Sequence, residues 1–219
     1  MKTKTFVSTL AIVAAMAILG ACADGVTGAV DPVNAAAVSP DLKSATVPEA
    51  AILTGAIADV PITACVVTGT VNEAETAGLL FMREEEKLAR DVYTYMYTKY
   101  KLQVFLNISK SENAHVSAIL RLMSGFGIAD NSSNTAGVYV NPQLTDLYKQ
   151  LITMGNLSVN DALKVGVLIE QTDITDLQKE LLSVQNSSIK TVYTNLMAGS
   201  NAHLKAFTWN LKIRGIIYP

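Results

Sequence analysis

From about residue 73 onward the apolar positions of this chain return every three or four residues, the spacing of one face of an α-helix. Leu79, Met82, Glu86, Ala89, Tyr93, Met96 and Tyr100 share one such face, and Asn72 with Glu75 three residues on resembles a capping box, so the pattern predicts a first helix over about 73–100. After a break at Lys101-Leu102-Gln103, the set Phe105, Ile108, Glu112, His115, Ile119 and Leu122 predicts a second helix that stops at Gly125-Phe126-Gly127. The short connection makes these two antiparallel neighbours. A turn-rich passage, Asp130-Asn131-Ser132-Ser133-Asn134, leads to Asn141-Pro142 and a short helix ending before Gly155. Ser158 with Asp161 opens the third long helix, with Ala162, Gly166, Ile169, Glu170, Asp173, Leu177 and Leu181 facing inward. Past the turn at Asn186-Ser187-Ser188, the last helix carries Ile189, Tyr193, Leu196, Ser200, His203, Phe207 and Leu211 on one face and runs to about Lys212. Two short hairpins joined by one long crossover containing a short helix is the connectivity of ferritin-like four-helix bundles, so the expected fold class is all-α. The bundle is expected over 72–213, with a C-terminal tail over 214–219.

The first third of the chain follows a different pattern. Lys2 and Lys4 precede an apolar stretch from Phe6 to Leu19, a charged start and a short apolar core that match an export signal and fall short of a comfortable membrane span. Leu19-Gly20-Ala21-Cys22 resembles the lipobox of bacterial lipoproteins. Residues 1–21 are therefore expected to be a removed signal peptide and Cys22 the acylated first residue, anchored to a membrane of the cell envelope; a plain signal peptide cleaved near Ala21 is the alternative. Ala23 fits release to an outer membrane where one exists. Residues 22–71, rich in Ala, Thr and Val with Pro32, Pro40, Pro48 and Pro61 and no aromatic, read as a tether that orders near Ile62 to Val67. Cys65 is the second cysteine of two, which leaves no intramolecular disulfide once Cys22 is lipidated.

The 219 residues carry 17 basic and 19 acidic side chains, a net charge of −2 without a cationic stripe, which argues against nucleic acid as a partner. No phosphate-binding loop, nucleophile elbow or Cys-x-x-Cys pair competes for the function.

Charge and chemistry change the picture on the inward faces. An ionised carboxylate costs several kcal/mol to bury unless it is paired or bound to metal, yet each long helix sets such a group, or an imidazole, among its apolar positions. The first offers Glu86, the second Glu112 and His115, the third Glu170 and Asp173, the fourth His203. Glu112-x-x-His115 and Glu170-x-x-Asp173 are i, i+3 pairs whose side chains point the same way. Both histidines of the protein fall on inward stripes. Four carboxylates bring about −4, which two divalent ions would balance, and oxygen with nitrogen ligands suits iron or manganese, with zinc possible. Glu85 is the alternative to Glu86 as a ligand, and Tyr93, two turns beyond Glu86, is placed to hydrogen-bond one. Each element also has a plainer reading: the run Glu84-Glu85-Glu86-Lys87 as a solvated face, Glu112-x-x-His115 as surface decoration, His203 as a core histidine, Asp173 bonded to a helix end.

The run Gly78-Leu79-Leu80-Phe81-Met82-Arg83-Glu84-Glu85-Glu86-Lys87-Leu88-Ala89-Arg90-Asp91-Val92-Tyr93, with Ser111-Glu112-x-x-His115, Ile169-Glu170-x-x-Asp173-Ile174-x-Asp176-Leu177 and Gly199-Ser200-x-x-His203-Leu204-x-Ala206-Phe207, resembles the bacterial domain-of-unknown-function 2202 family. That family looks ferritin-like, and the resemblance, over about 74–212, implies the bundle and a metal site without a settled activity. Against the wider ferritin and rubrerythrin pattern, a second Glu-x-x-His is replaced by Ser200-x-x-His203, and Asp173 supplies the extra carboxylate. The expected function is an envelope metal-binding protein, with two iron or manganese ions acting on oxygen, peroxide or ferrous ion. The alternative is a binding or structural helical module in which metal is structural or absent.

Overall fold

The computed structural model describes residues 67–218. The expected export signal, Cys22, Cys65 and the expected tether as far as residue 66 lie outside the described residues.

Among the described residues the chain is all-helical, with α1 Glu73–Tyr100, α2 Gln103–Gly125, α3 Pro142–Gly155, α4 Val159–Ser183 and α5 Ser187–Lys212. The starts are set by side chains that satisfy the free N–H groups of a first turn. Asn72 and Glu75 form a reciprocal capping box at 2.9 and 3.0 Å. Asn141 caps α3 ahead of Pro142, Ser158 caps α4, and Asn186 accepts from Ser188 and Ile189 at the start of α5. Only α2 begins without a side-chain cap. Its connection to α1 is so tight that Lys101 adopts φ 54°, a left-handed turn closed by its N–H to the Tyr97 carbonyl.

Each long helix touches two others: α1 packs on α2 and α4, and α5 on α4 and α2. The result is a helical bundle in which α3, in the crossover, covers α1 and α4. The inward stripes expected from the sequence are buried except at Tyr100 and Leu181, which are half-buried near the C-terminal ends of their helices. Val67 closes one end by packing on Gly125, where a β-carbon would collide with it.

The core is layered. One apolar cluster, including Val92, Met96, Phe105, Phe207 and Leu211, fills the end nearer α3. A second, including Leu79, Met82, Ile119, Leu122, Leu177 and Ile189, fills the other. The positions left between these clusters on the four long helices carry Glu85 and Glu86, Glu112 and His115, Glu170 and Asp173, Ser200 and His203, all of them buried. A polar layer is thus enclosed by apolar layers on both sides, where water screening is weak and unpaired charge is costly.

The outer side of α1 departs from the solvated face that its charge run suggests. Lys87 is 0 % exposed, with its ammonium 2.7 Å from Asp91, 2.9 Å from the Thr135 carbonyl and over the Tyr139 ring. Glu84 accepts from the N–H groups of Val140 and Asn141 and from the Ser132 hydroxyl. Arg83 grips Asp130. These charges pin the crossover to α1.

Candidate metal centre

Helical spacing brings Glu112 and His115 to one turn of α2, and packing against α1 and α5 brings Glu86 and His203 to either side of them. His115 Nδ1 lies 3.1 Å from Glu86 Oε2 and 2.8 Å from Glu112 Oε2. His203 Nδ1 lies 2.8 Å from Glu112 Oε1 and 3.4 Å from Glu170 Oε2. The ligand atoms fall into two close groups, Glu86 with Glu112 and His115, and Glu112 with Glu170 and His203. Glu112 belongs to both, one carboxylate oxygen turned to each, and the imidazole rings stack at 5.5 Å on its two sides.

Asp173 stands one turn from Glu170 and accepts a 2.5 Å hydrogen bond from the Ser200 hydroxyl through Oδ2. Tyr93 donates to Glu170 Oε1 at 2.6 Å, not to Glu86 on its own helix, because the residue two turns along α1 faces α4. Ser111 Oγ meets His203 Nε2 at 2.9 Å. The His115 ring lies against Gly199, where a β-carbon would come within 2.7 Å of Nε2. Glu85 reaches Asp173 and Asp176, beside the two groups and not within either.

Four of the buried polar atoms here have no hydrogen-bond partner among the described residues: Glu86 Oε1, Glu112 Oε1, Asp173 Oδ1 and His203 Nδ1. The last case is informative, since His203 Nδ1 and Glu112 Oε1 are only 2.8 Å apart without the alignment of a hydrogen bond.

In the absence of a cation the charges rearrange as electrostatics requires. Burial, then the Asp173 carboxylate, pushes Glu86 well above the usual carboxylate range. Burial and Glu112 lift Glu170 to about 8, and burial, against the Ser200 hydrogen bond, lifts Asp173 to about 7. Burial opposes charge on both histidines but loses to their carboxylates: Glu86 and Glu112 hold His115 well above its ordinary value, and Glu112 holds His203 at about 10. Glu112 is the exception among the acids. Burial would raise it, but the imidazolium groups of His203 and His115 pull it well below the usual range. The layer therefore sets a lowered Glu112 between two imidazoles whose basicity is raised, with Glu86, Glu170 and Asp173 raised around them.

Of the six residues expected as ligands from the sequence, Glu86, Glu112, His115, Glu170 and His203 fall into the two close groups, while Asp173 is buried in the same layer, bonded to Ser200 and outside both groups; Tyr93 and Glu85 are buried beside them. Ser111 and Gly199 were not singled out by sequence reasoning. Ser111 sits beside Glu112 with no apolar periodicity to mark it, and the role of Gly199 is the volume it leaves empty. Asp176 and Glu180 did leave a signal: Glu170, Asp173, Asp176 and Glu180 repeat at three, three and four residues along α4.

Fold and site together define an all-helical bundle protein with a buried carboxylate and histidine layer. The pattern of the uncharacterized protein domain DUF2202 matches residues 75–219, and the chain belongs to that family. It is 48% identical over 149 residues to the Uncharacterized protein MJ0754 of Methanocaldococcus jannaschii, an alignment covering 68% of this chain and 80% of that one. A crystal structure of hypothetical protein MJ0754 from Methanococcus jannaschii matches with a TM-score of 0.68 and 46% sequence identity, over 69% of this chain and 87% of the other. That relative is archaeal, so the resemblance extends beyond bacterial proteins.

Proposed function

We propose that this chain is a ferritin-like protein that holds two divalent ions, iron or manganese with zinc as a possible substitute, at the cell envelope, where Cys22 anchors it by lipid. The observation that carries the reading is the sharing of Glu112 between two three-ligand groups, with buried oxygen and nitrogen atoms of both groups left without hydrogen bonds. Natural interiors seldom leave several such atoms without hydrogen bonds in one place, and a bound ion is among the few physical reasons for it.

The donor set fits the proposed ions. Glu86 and His115 would serve one position, Glu170 and His203 the other, and Glu112 both, while Asp173, whose charge both Glu86 and Glu170 feel, brings a further oxygen beside them. Iron or manganese bound there would supply one-electron redox chemistry toward oxygen, peroxide or ferrous ion. The protein's own residues act around that chemistry. Tyr93, by donating to Glu170, and Ser200, by donating to Asp173, orient carboxylates that would otherwise rotate. Ser111 fixes the outer nitrogen of His203 and so presents Nδ1 inward. The apolar layers above and below exclude water, which strengthens every charge interaction between them.

The test uses the full chain, purified and assayed for metal by elemental analysis, then mixed with ferrous ion in air. Two ions per chain and ferrous oxidation are expected. Less than one bound ion together with no oxidation would sink the reading. For the anchor, Cys22→Ala is expected to move the protein from the membrane fraction to the supernatant; unchanged partitioning would refute lipidation at Cys22.

A further inference from the structure

The carboxylates do not stop at the centre. On α4, Asp173, Asp176 and Glu180 stand on one face, spaced so that the file covers about 10 Å of helix at 1.5 Å per residue. On α1, which packs on α4, Glu85 and Gly78 are likewise seven residues apart on one face. Glu85 feels the charge of Asp173 and shares a hydrogen bond with Asp176, and Gly78 meets Glu180. The file therefore leads from the centre toward the end of the bundle at which α1 begins.

Glu180 reaches into the interior because Gly78 has no side chain. A β-carbon at that position would collide with Glu180 Oε2 and lie 3.5 Å from the Tyr193 hydroxyl. Tyr193 is 1 % exposed, and its hydroxyl, directed at this spot, has no hydrogen-bond partner among the described residues. Glu85 Oε2 is buried and likewise has no hydrogen-bond partner among the described residues. An apolar bundle end would ordinarily be filled by Leu or Ile. Here a glycine makes room for a carboxylate beside an unsatisfied phenol, and two more acids continue the line inward. Acidic side chains in a low-dielectric interior attract cations and disfavour anions.

We infer that Glu180, Asp176 and Glu85 form a route for a divalent cation, of the same hydrated kind that occupies the centre, between the α1 N-terminal end of the bundle and the buried site. This rests on the metal-centre reading above. It assigns Glu180 as the outer station, where the hydrated ion is first held, and Asp176 with Glu85 as the inner pair that passes it to Asp173.

The experiment is a timed uptake of ferrous ion by metal-free full chain under anaerobic conditions, stopped with a chelator, counting retained iron per chain. Glu180→Gln and Asp176→Asn are expected to slow uptake about ten-fold while the final iron per chain is unchanged. Gly78→Ala, which crowds Glu180 without altering charge, is expected to slow it too. Should Asp176→Asn not fold, Glu180→Gln and Gly78→Ala carry the test. Glu73→Gln, an exposed acid at the same end but off the file, is expected to load at the wild-type rate. Uptake at wild-type rate in Glu180→Gln and Gly78→Ala overturns the route while leaving the centre intact. Equal slowing in Glu73→Gln overturns it in favour of general surface attraction. No retention of iron by the wild type overturns centre and route together.

Discussion

At the scale of single residues, Glu112 is the position from which most of the site's behaviour follows. It is 1 % exposed, faces both imidazoles, and alone belongs to both ligand groups. Substituting Glu112→Gln is expected to abolish binding of both proposed ions, whereas Glu86→Gln removes one group and leaves the one built on Glu112, Glu170 and His203. Metal per chain by elemental analysis distinguishes these outcomes; retention of two ions by Glu112→Gln would contradict a shared carboxylate. Tyr93→Phe deletes the 2.6 Å bond to Glu170 and a longer one of 3.4 Å to the Gly166 carbonyl, in a position that otherwise keeps its packing. Loss of an orienting partner of this kind typically costs about 10-fold to 100-fold in metal affinity, and that is the expected effect, read by competition with a chelator. The inward carboxylates and histidines were legible in the sequence because they interrupt otherwise apolar stripes at helical spacing, and that is a local property. The partner of Tyr93 was not legible, since which neighbouring helix a phenol reaches depends on how α1 and α4 pack.

Elements add what single stripes do not contain. Helix starts were readable from Asn72, Asn141, Ser158 and Asn186, whose side chains act within three residues of themselves. The outer face of α1 was misleading for a physical reason: Glu84, Lys87 and Asp91 are polar and look solvated, but the crossover, which has no periodicity of its own, lies over them. A buried ion pair becomes a liability when one partner goes, because the other is left charged and unpaired. Asp91→Ala strips Lys87 of its carboxylate, and Asp91 also accepts from the Gly137 N–H and the Tyr139 hydroxyl. The expected cost is about 3 to 5 kcal/mol of stability in denaturant unfolding, with earlier proteolytic cutting between α2 and α3. A loss under about 1 kcal/mol would mean that the crossover is held mainly by other contacts.

Across the whole molecule, protons and metal compete for the same buried layer, which links the stability of the bundle to pH. Glu170 at about 8 and Asp173 at about 7 keep protons in the folded, metal-free chain that their unfolded counterparts have released by about pH 5, so stability falls as pH rises toward those values. His203, held at about 10, stabilises the fold fully below its unfolded value near 6.5, and this too is lost progressively as pH rises. Glu112 acts in the other direction, but its contribution is already complete above the usual carboxylate range and so is constant over this window. These groups agree in sign, and so do Glu86 and His115, which are raised as well. Metal-free protein is expected to lose on the order of 5 to 10 °C in Tm between pH 5.5 and 8. Ligands must shed their protons to bind metal, so the increase in Tm on adding saturating manganese should be small at pH 5.5 and large at pH 8. Thermal scans with and without manganese across that range measure both slopes. A metal-free Tm that climbs with pH would show that the acids of the layer are ionised in the folded chain, and a manganese effect independent of pH would show that the ion binds elsewhere.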